Sequence, residues 1–122
     1  LVQTSYTYTN SDEPSGVRAL RIPDHSFTLR ANQTLWQRLD VATDILATSS
    51  YTYPLFTGSG SRDFVFKGPL RADVAVHYTI PLRERLTARL YTRIENITNR
   101  RRYEDGFPAP RAWAVAGVKL IF

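Results

Sequence analysis

Apolar and polar residues alternate with period two along six stretches of this chain, and in the last stretch the alternation runs to the final residue. Counting back from Phe122, the residues Leu120, Val118, Ala116, Ala114 and Ala112 share one face, while Lys119, Gly117 and Trp113 share the other with Val115 and Ile121. Successive side chains of a strand point to opposite faces, so this period reads as β structure. Order held to the terminal carboxylate is unusual, because soluble domains mostly let their ends fray. A closed barrel has a reason to keep it, since its last strand removes an open edge by pairing.

The other five stretches are residues 2–9, 26–35, 38–49, 70–80 and 85–98, with the last strand over 111–122. The fourth is the cleanest: Leu70, Ala72, Val74, Val76, Tyr78 and Ile80 alternate with Arg71, Asp73, Ala75, His77 and Thr79. Between the strands lie long segments at 10–24, 51–69 and 99–110, carrying Pro14, Gly16, Pro54, Gly58, Gly60 and Pro69, and short turns near Trp36-Gln37 and Pro81–Glu84. Long and short connections therefore take turns, which is the asymmetry of outer-membrane barrels, with short periplasmic turns and longer extracellular loops. Strands of about 10–13 residues suit a tilted crossing of the hydrocarbon core, whereas soluble strands are mostly nearer 5–6. The expected fold is all-β: an antiparallel, up-and-down transmembrane β-barrel segment. Six strands are fewer than the roughly eight of the smallest common membrane barrels, so the expectation is a part of a larger wall.

Composition narrows the alternatives. No apolar run approaches 18 residues, so no helix in the chain could span a bilayer, while barrel strands leave little hydropathy signal. No leader is visible, and Leu1 opens inside a predicted strand, which reads as a chain with a part missing upstream. The absence of Cys removes disulfide scaffolds and thiolate metal sites. Sixteen Lys and Arg against eleven Asp and Glu give a net charge of +5, yet these charges alternate with apolar residues and form no basic stripe, so nucleic acid is not an expected partner. His25 and His77 stand far apart without a ligand set, so no metal or cofactor is expected. There is no Gly-x-Ser-x-Gly, P-loop or His-Glu-x-x-His pattern, and no catalytic residue or enzymatic activity is expected. Asn32-Gln-Thr34 and Asn96-Ile-Thr98 match the glycosylation pattern but fall in predicted strands.

One face of the strands collects the ionic residues Arg30, Asp40, Asp44, Arg71, Asp73, His77, Arg89, Arg93, Glu95 and Lys119. In a barrel these point to the lumen, because an Arg on the lipid face costs about 2–4 kcal/mol at the midplane. Cross-strand pairing is expected of Arg30 with Asp40 or Asp44, and of Asp73 with Arg89 or Arg93. Aromatic and basic residues gather in the long loops, and Tyr53, Arg62, Arg101 and Tyr103 are candidate contacts for an extracellular ligand through stacking and ion pairing. The competing use of such residues is an interfacial girdle, with Arg on lipopolysaccharide phosphates.

Several segments carry a family resemblance. Glu95-Asn96-Ile97, Tyr103-Glu104-Asp105-Gly106, Pro108-Ala109-Pro110-Arg111, Gly117 and Phe122 resemble the C-terminal end of a TonB-dependent outer-membrane receptor, and Ile22-Pro-Asp-His-Ser26 resembles one of that family's loop-to-strand junctions. The chain has no Gly between Pro110 and Arg111, and Val115 stands where the family's terminal strand has a polar residue. The resemblance implies that residues 1–122 are the C-terminal part of a barrel of roughly 22 strands holding a plug. It implies active uptake of a ferric siderophore, haem, cobalamin or similar nutrient, with the plug and the segment that touches TonB outside this chain. It implies that Gly117, Leu120 and Phe122 serve as the signal read by the barrel-assembly machinery. A passive porin-like barrel and a soluble antiparallel sheet that binds a partner are the other two readings of the same pattern.

Overall fold

The computed structural model describes residues 1–10, 12, 20–104 and 106–122. Among them there is no helix; the strands in chain order are β1 (Val2–Tyr8), β2 (His25–Leu35), β3 (Leu39–Thr48), β4 (Tyr51–Thr57), β5 (Gly60–Phe66), β6 (Leu70–Arg83), β7 (Leu86–Glu95), β8 (Tyr103–Glu104), β9 (Phe107–Pro108) and β10 (Trp113–Ile121). Six form one antiparallel sheet in the order β1-β2-β3-β6-β7-β10, an up-and-down meander. The predicted Pro14, Gly16 and Asp105 positions lie outside the described residues.

Register keeps the two predicted faces separate across all six strands. Thr4 pairs with Leu29, Leu29 with Ile45, Ile45 with Ala72, Val74 with Ile94 and Ile94 with Ala114, all on the apolar face. On the other face Arg30 pairs with Asp44, Asp40 with His77, and Arg89 with Lys119. A slip of one residue anywhere would exchange the faces from that strand onward.

The short turns lie at one end. Leu35 to Arg38 closes with Arg38 N donating to Leu35 O at 3.3 Å, and both central residues take positive φ, 48° at Trp36 and 61° at Gln37. That is the dihedral pattern of hairpin turns whose twist matches the strands, although Asn-Gly is its usual sequence. At the next turn the expected break at 81–84 is displaced. β6 continues through Pro81 to Arg83, with a bulge between the Pro81–Thr87 and Arg83–Leu86 pairs. A bulge leaves its extra residue unpaired, so proline's missing N–H next to it costs the ladder little.

The opposite end holds the three long connections, and two contain strands that the sequence reading had as loop. β4 and β5 make a separate hairpin within 51–69, where Tyr51 pairs with Phe66 and Tyr53 with Phe64. Gly60 at φ 117° and the Thr57 Oγ1 bond to Gly60 O at 2.8 Å turn the chain between them. Pro54 is tolerated because a two-stranded ribbon leaves one edge of each strand unpaired. β8 and β9 make a shorter hairpin within 99–110, turned at Gly106 with φ 82°. Three further boundaries move. The first strand ends at Tyr8, the fifth stops at Glu95 where Asn96 takes φ 51°, and the last runs from Trp113 to Ile121, leaving Phe122 just past it.

The sheet is one layer thick. Ala88 is the one buried apolar residue among those described, and β1 is exposed along its whole length. The accessible surface is 9134 Å² for 13.9 kDa. A compact monomer of that mass would expose roughly 6,700 Å². Tyr6, Phe27, Tyr78, Leu90, Val118 and Leu120 are all exposed on the apolar face.

Candidate functional site

The strand register brings all ten predicted ionic residues onto one face, where three groups of contacts form. Arg30 Nε donates to Asp44 Oδ2 at 3.1 Å across β2 and β3. Asp40 accepts from Thr34 Oγ1 at 2.8 Å and from Arg89 Nη2 at 3.1 Å, so β7 reaches across β6 to β3. Arg71 Nε donates to Asp73 Oδ1 at 2.9 Å, and its Nη2 sits 2.5 Å from Asp73 Oδ2 and 3.1 Å from Glu95 Oε2. Glu95 Oε1 is in turn 3.0 Å from Arg93 Nη2. The predicted partner for Asp44 is found. The predicted partners for Asp73, Arg89 and Arg93, are replaced by Arg71, two residues earlier on the same strand and face.

Position explains why these contacts differ. The Asp73 and Glu95 side chains are only 13% and 16% exposed, against 68% and 49% for Arg30 and Asp44. Like charges also meet across the sheet, Asp44 opposite Asp73 and Arg89 opposite Lys119. Such pairs are unfavourable alone. Arg30 and Arg71 offset the first by each holding one of the carboxylates. Arg30, Asp44, Asp73, His77, Tyr91 and Arg93 border a hollow of about 410 Å³ on this face. His77 tilts against Tyr91 with ring centroids 6.5 Å apart. The Tyr91 ring also covers Gly117, where an added Cβ would come within 2.5 Å of the phenol oxygen.

Asn96 ties this face to the loop end, a part that strand alternation does not reveal. It is fully buried. Its backbone N–H donates to Asp73 Oδ1 at 2.9 Å, and its Nδ2 donates to Arg100 O at 3.0 Å and Pro110 O at 3.3 Å. Its Oδ1 accepts from Thr98 Oγ1 at 2.9 Å, and Asn99 Oδ1 accepts from Ala112 N at 3.3 Å. The second glycosylation match thus lies in a turn instead of a strand, with Asn96 buried and Ile97 and Thr98 exposed. The first signal for Asn96 is that Asn tolerates left-handed φ better than other non-glycine residues.

At the loop end the four candidate ligand contacts fall into different places. Tyr103 and Tyr53 pack into an aromatic cluster: Tyr51 Oη donates to Tyr103 O at 2.8 Å, and Phe66 lies 5.2 Å from Tyr103 and 6.5 Å from Tyr53. Arg21, not singled out from sequence, stacks over Tyr53 at 4.5 Å. Arg62 instead stands on β5 opposite Leu55, and Arg101 borders a separate hollow of about 300 Å³ with Arg102 and Arg111. His25 opens β2 at the loop-to-strand junction: Tyr6 Oη and His25 Nδ1 are 2.9 Å apart, and its backbone N–H donates to Ser49 Oγ at 3.2 Å. Of the terminal trio, Gly117 lies under Tyr91, Leu120 is exposed on the apolar face, and Phe122 is 94% exposed. No group of three or more His, Cys, Asp or Glu among the described residues is placed to hold a metal ion. No protein-family model matches this chain, and neither does any curated protein.

Proposed function

We propose that this chain forms six neighbouring wall strands of an outer-membrane active transporter of the TonB-dependent kind, in a barrel of roughly 22 strands around a plug. In this reading the apolar face meets outer-membrane lipid and lipopolysaccharide, and the ionic face meets water and the plug. The long connections lie outside the cell. Energy coupling to TonB and the plug itself belong to other parts of the protein. Its cargo is a scarce nutrient of the ferric siderophore, haem or cobalamin type, and the barrel-assembly machinery reads Gly117, Leu120 and Phe122.

One observation supports this reading above the others: a single-layer sheet that carries ten ionic residues on one side and uncovered aliphatic and aromatic residues on the other. Water on both sides would leave a large apolar patch exposed, and a monomeric soluble protein rarely tolerates that. Lipid against one face removes the penalty. The inner strands of 11, 10, 14 and 10 residues are long enough for a tilted crossing. The unpaired edges of β1 and β10 call for further strands, because backbone groups facing lipid must be paired.

These 122 residues hold no Cys, so single cysteines can be placed in them with no background from the segment itself. In the full-length protein in outer membranes, cysteines at Val74, Val76, Leu90 and Ile94 should react with a lipid-soluble maleimide and resist a charged one. Cysteines at Asp73, His77, Arg89 and Arg93 should show the reverse. Equal reaction of both sets with the charged reagent would end the membrane reading in favour of a soluble sheet. Deleting Phe122 should lower the number of assembled molecules several-fold while leaving the ligand affinity of those that assemble unchanged. Normal numbers after the deletion would remove the assembly role.

A further inference from the structure

The hairpin β8–β9 carries a hollow away from the ion pairs of the sheet. Arg101, Arg102, Tyr103, Pro108, Ala109 and Arg111 border its 300 Å³ or so. Three Arg residues border so small a space, with one carboxylate, Glu104, paired to Arg102, so the local charge is positive and favours an anion. Arg102 is the informative member. Its side chain is only 8% exposed, and its Nη1 pairs with Glu104 Oε1. Its Nε is buried and has no hydrogen-bond partner among the described residues. A buried donor without an acceptor is costly and rare, and it calls for an occupant that supplies one. Arg102 is also held in place, since its carbonyl accepts from Ala109 N at 3.0 Å across the hairpin. Arg101 and Arg111 stand exposed at the rim.

We propose that this hollow binds a phosphate-class oxyanion, with Arg102 as its fixed floor and Arg101 and Arg111 closing on it from outside. A planar guanidinium fork matches phosphate oxygens in pairs, and Arg serves this purpose better than a point charge. Backbone donors contribute little here, because Pro108 has no N–H and the Ala109 N–H is already used. The phosphate is carried either on a small soluble ester or on a lipid headgroup, and the recognition chemistry is the same. The inference does not depend on the membrane reading, since it rests on the hairpin and the residues that flank it.

The test is calorimetric titration of pyrophosphate into the full-length protein in a zwitterionic detergent. Arg101→Gln and Arg111→Gln should each weaken binding about tenfold, as expected for the loss of one charged hydrogen-bonding partner. Arg102→Lys, which keeps the charge but not the fork, should weaken it by a similar factor. Arg85→Gln, in the turn at the opposite end, should change nothing. Both rim residues are exposed, so their replacement leaves the hairpin folded even if Arg102 is also needed for its shape. Micelles doped with phosphatidic acid should compete with pyrophosphate if the phosphate is lipid-borne, and fail to compete if the anion is soluble. Absence of pyrophosphate binding would overturn the proposal. So would an equal loss in Arg85→Gln, which would show only the general attraction of a chain with net charge +5.

Discussion

Asp73 and Val74 are neighbours in the chain and lie on opposite faces of β6, and the two faces are held in different ways. Asp73 is surrounded by named partners: Arg71 at 2.5 Å, and the Asn96 N–H at 2.9 Å. Val74 has Thr43 and Ile94 as its neighbours across the sheet, and no second layer above it. The ionic face supplies its own partners and is defined by the chain itself. The apolar face is completed by whatever covers it. Its stability therefore depends on the surroundings, and this is where the two faces can be separated by experiment.

The largest effect should come from a charge placed on the apolar face. Val76→Arg, opposite Val41 and Thr92, should destabilise the protein in lipid bilayers by about 2–4 kcal/mol. Ala42→Arg on the ionic face stands between Asp40 and Asp44 along its strand and opposite Asn32 and Ala75. It should cost less than about 1 kcal/mol, since exposed charge contacts contribute little either way. Urea unfolding in bilayers measures both. Similar small costs at the two sites would show that no lipid lies against Val76, and the contrast between faces would fail.

Within the ionic face the next effect separates its half-buried middle from its rim. Arg71→Ala leaves Asp73 and Glu95, both mostly shielded from water, without their shared cation, and should cost roughly 1–3 kcal/mol. Arg30→Ala removes a pair that is mostly in water and should cost less than about 1 kcal/mol. Adding Asp73→Ala to Arg71→Ala should recover part of the loss, because the stranded carboxylate is gone. Equal costs for Arg30→Ala and Arg71→Ala would mean that the ionic face is uniformly wet.

These contrasts show what could be read from residues and what could not. The faces were legible, because alternation survives every strand and the turn at Trp36-Gln37 is tight enough to count through. That count places Arg30 opposite Asp44. At the next turn counting fails. An unbulged continuation from the Arg83–Leu86 pair would set Val74 opposite Glu95, whereas the bulge sets it opposite Ile94. One extra residue restores apolar against apolar, and no local signal besides Pro81 announces it. The Arg71–Asp73 contact does not follow from cross-strand pairing, because it joins residues two apart on one strand, which share a face. The β4–β5 hairpin was hidden by Pro54 and by Gly58-Ser-Gly60, although the alternating Tyr51, Tyr53, Phe64 and Phe66 carried the period. The anion hollow depends on a long-range fold of the loop, so the run Arg100-Arg-Arg102 could suggest charge but not which member would be buried.

The last effect concerns Gly117, a residue on the ionic face whose type is dictated by shape and not by charge. Gly117 pairs with Tyr91, whose ring lies over it, and a methyl group there would press on the phenol end of a side chain free to swing. Gly117→Ala should therefore cost about 1 kcal/mol, the low end for overpacking, because the ring and not the backbone gives way. The displaced ring would also leave His77, its tilted neighbour. In a Tyr91→Ala background the same change should cost nothing or stabilise slightly, since alanine stiffens the unfolded chain relative to glycine. The double-mutant cycle thus reads whether Gly117 is glycine for the sake of Tyr91. A cost that persists without the ring would show that the requirement for glycine at this position does not come from Tyr91.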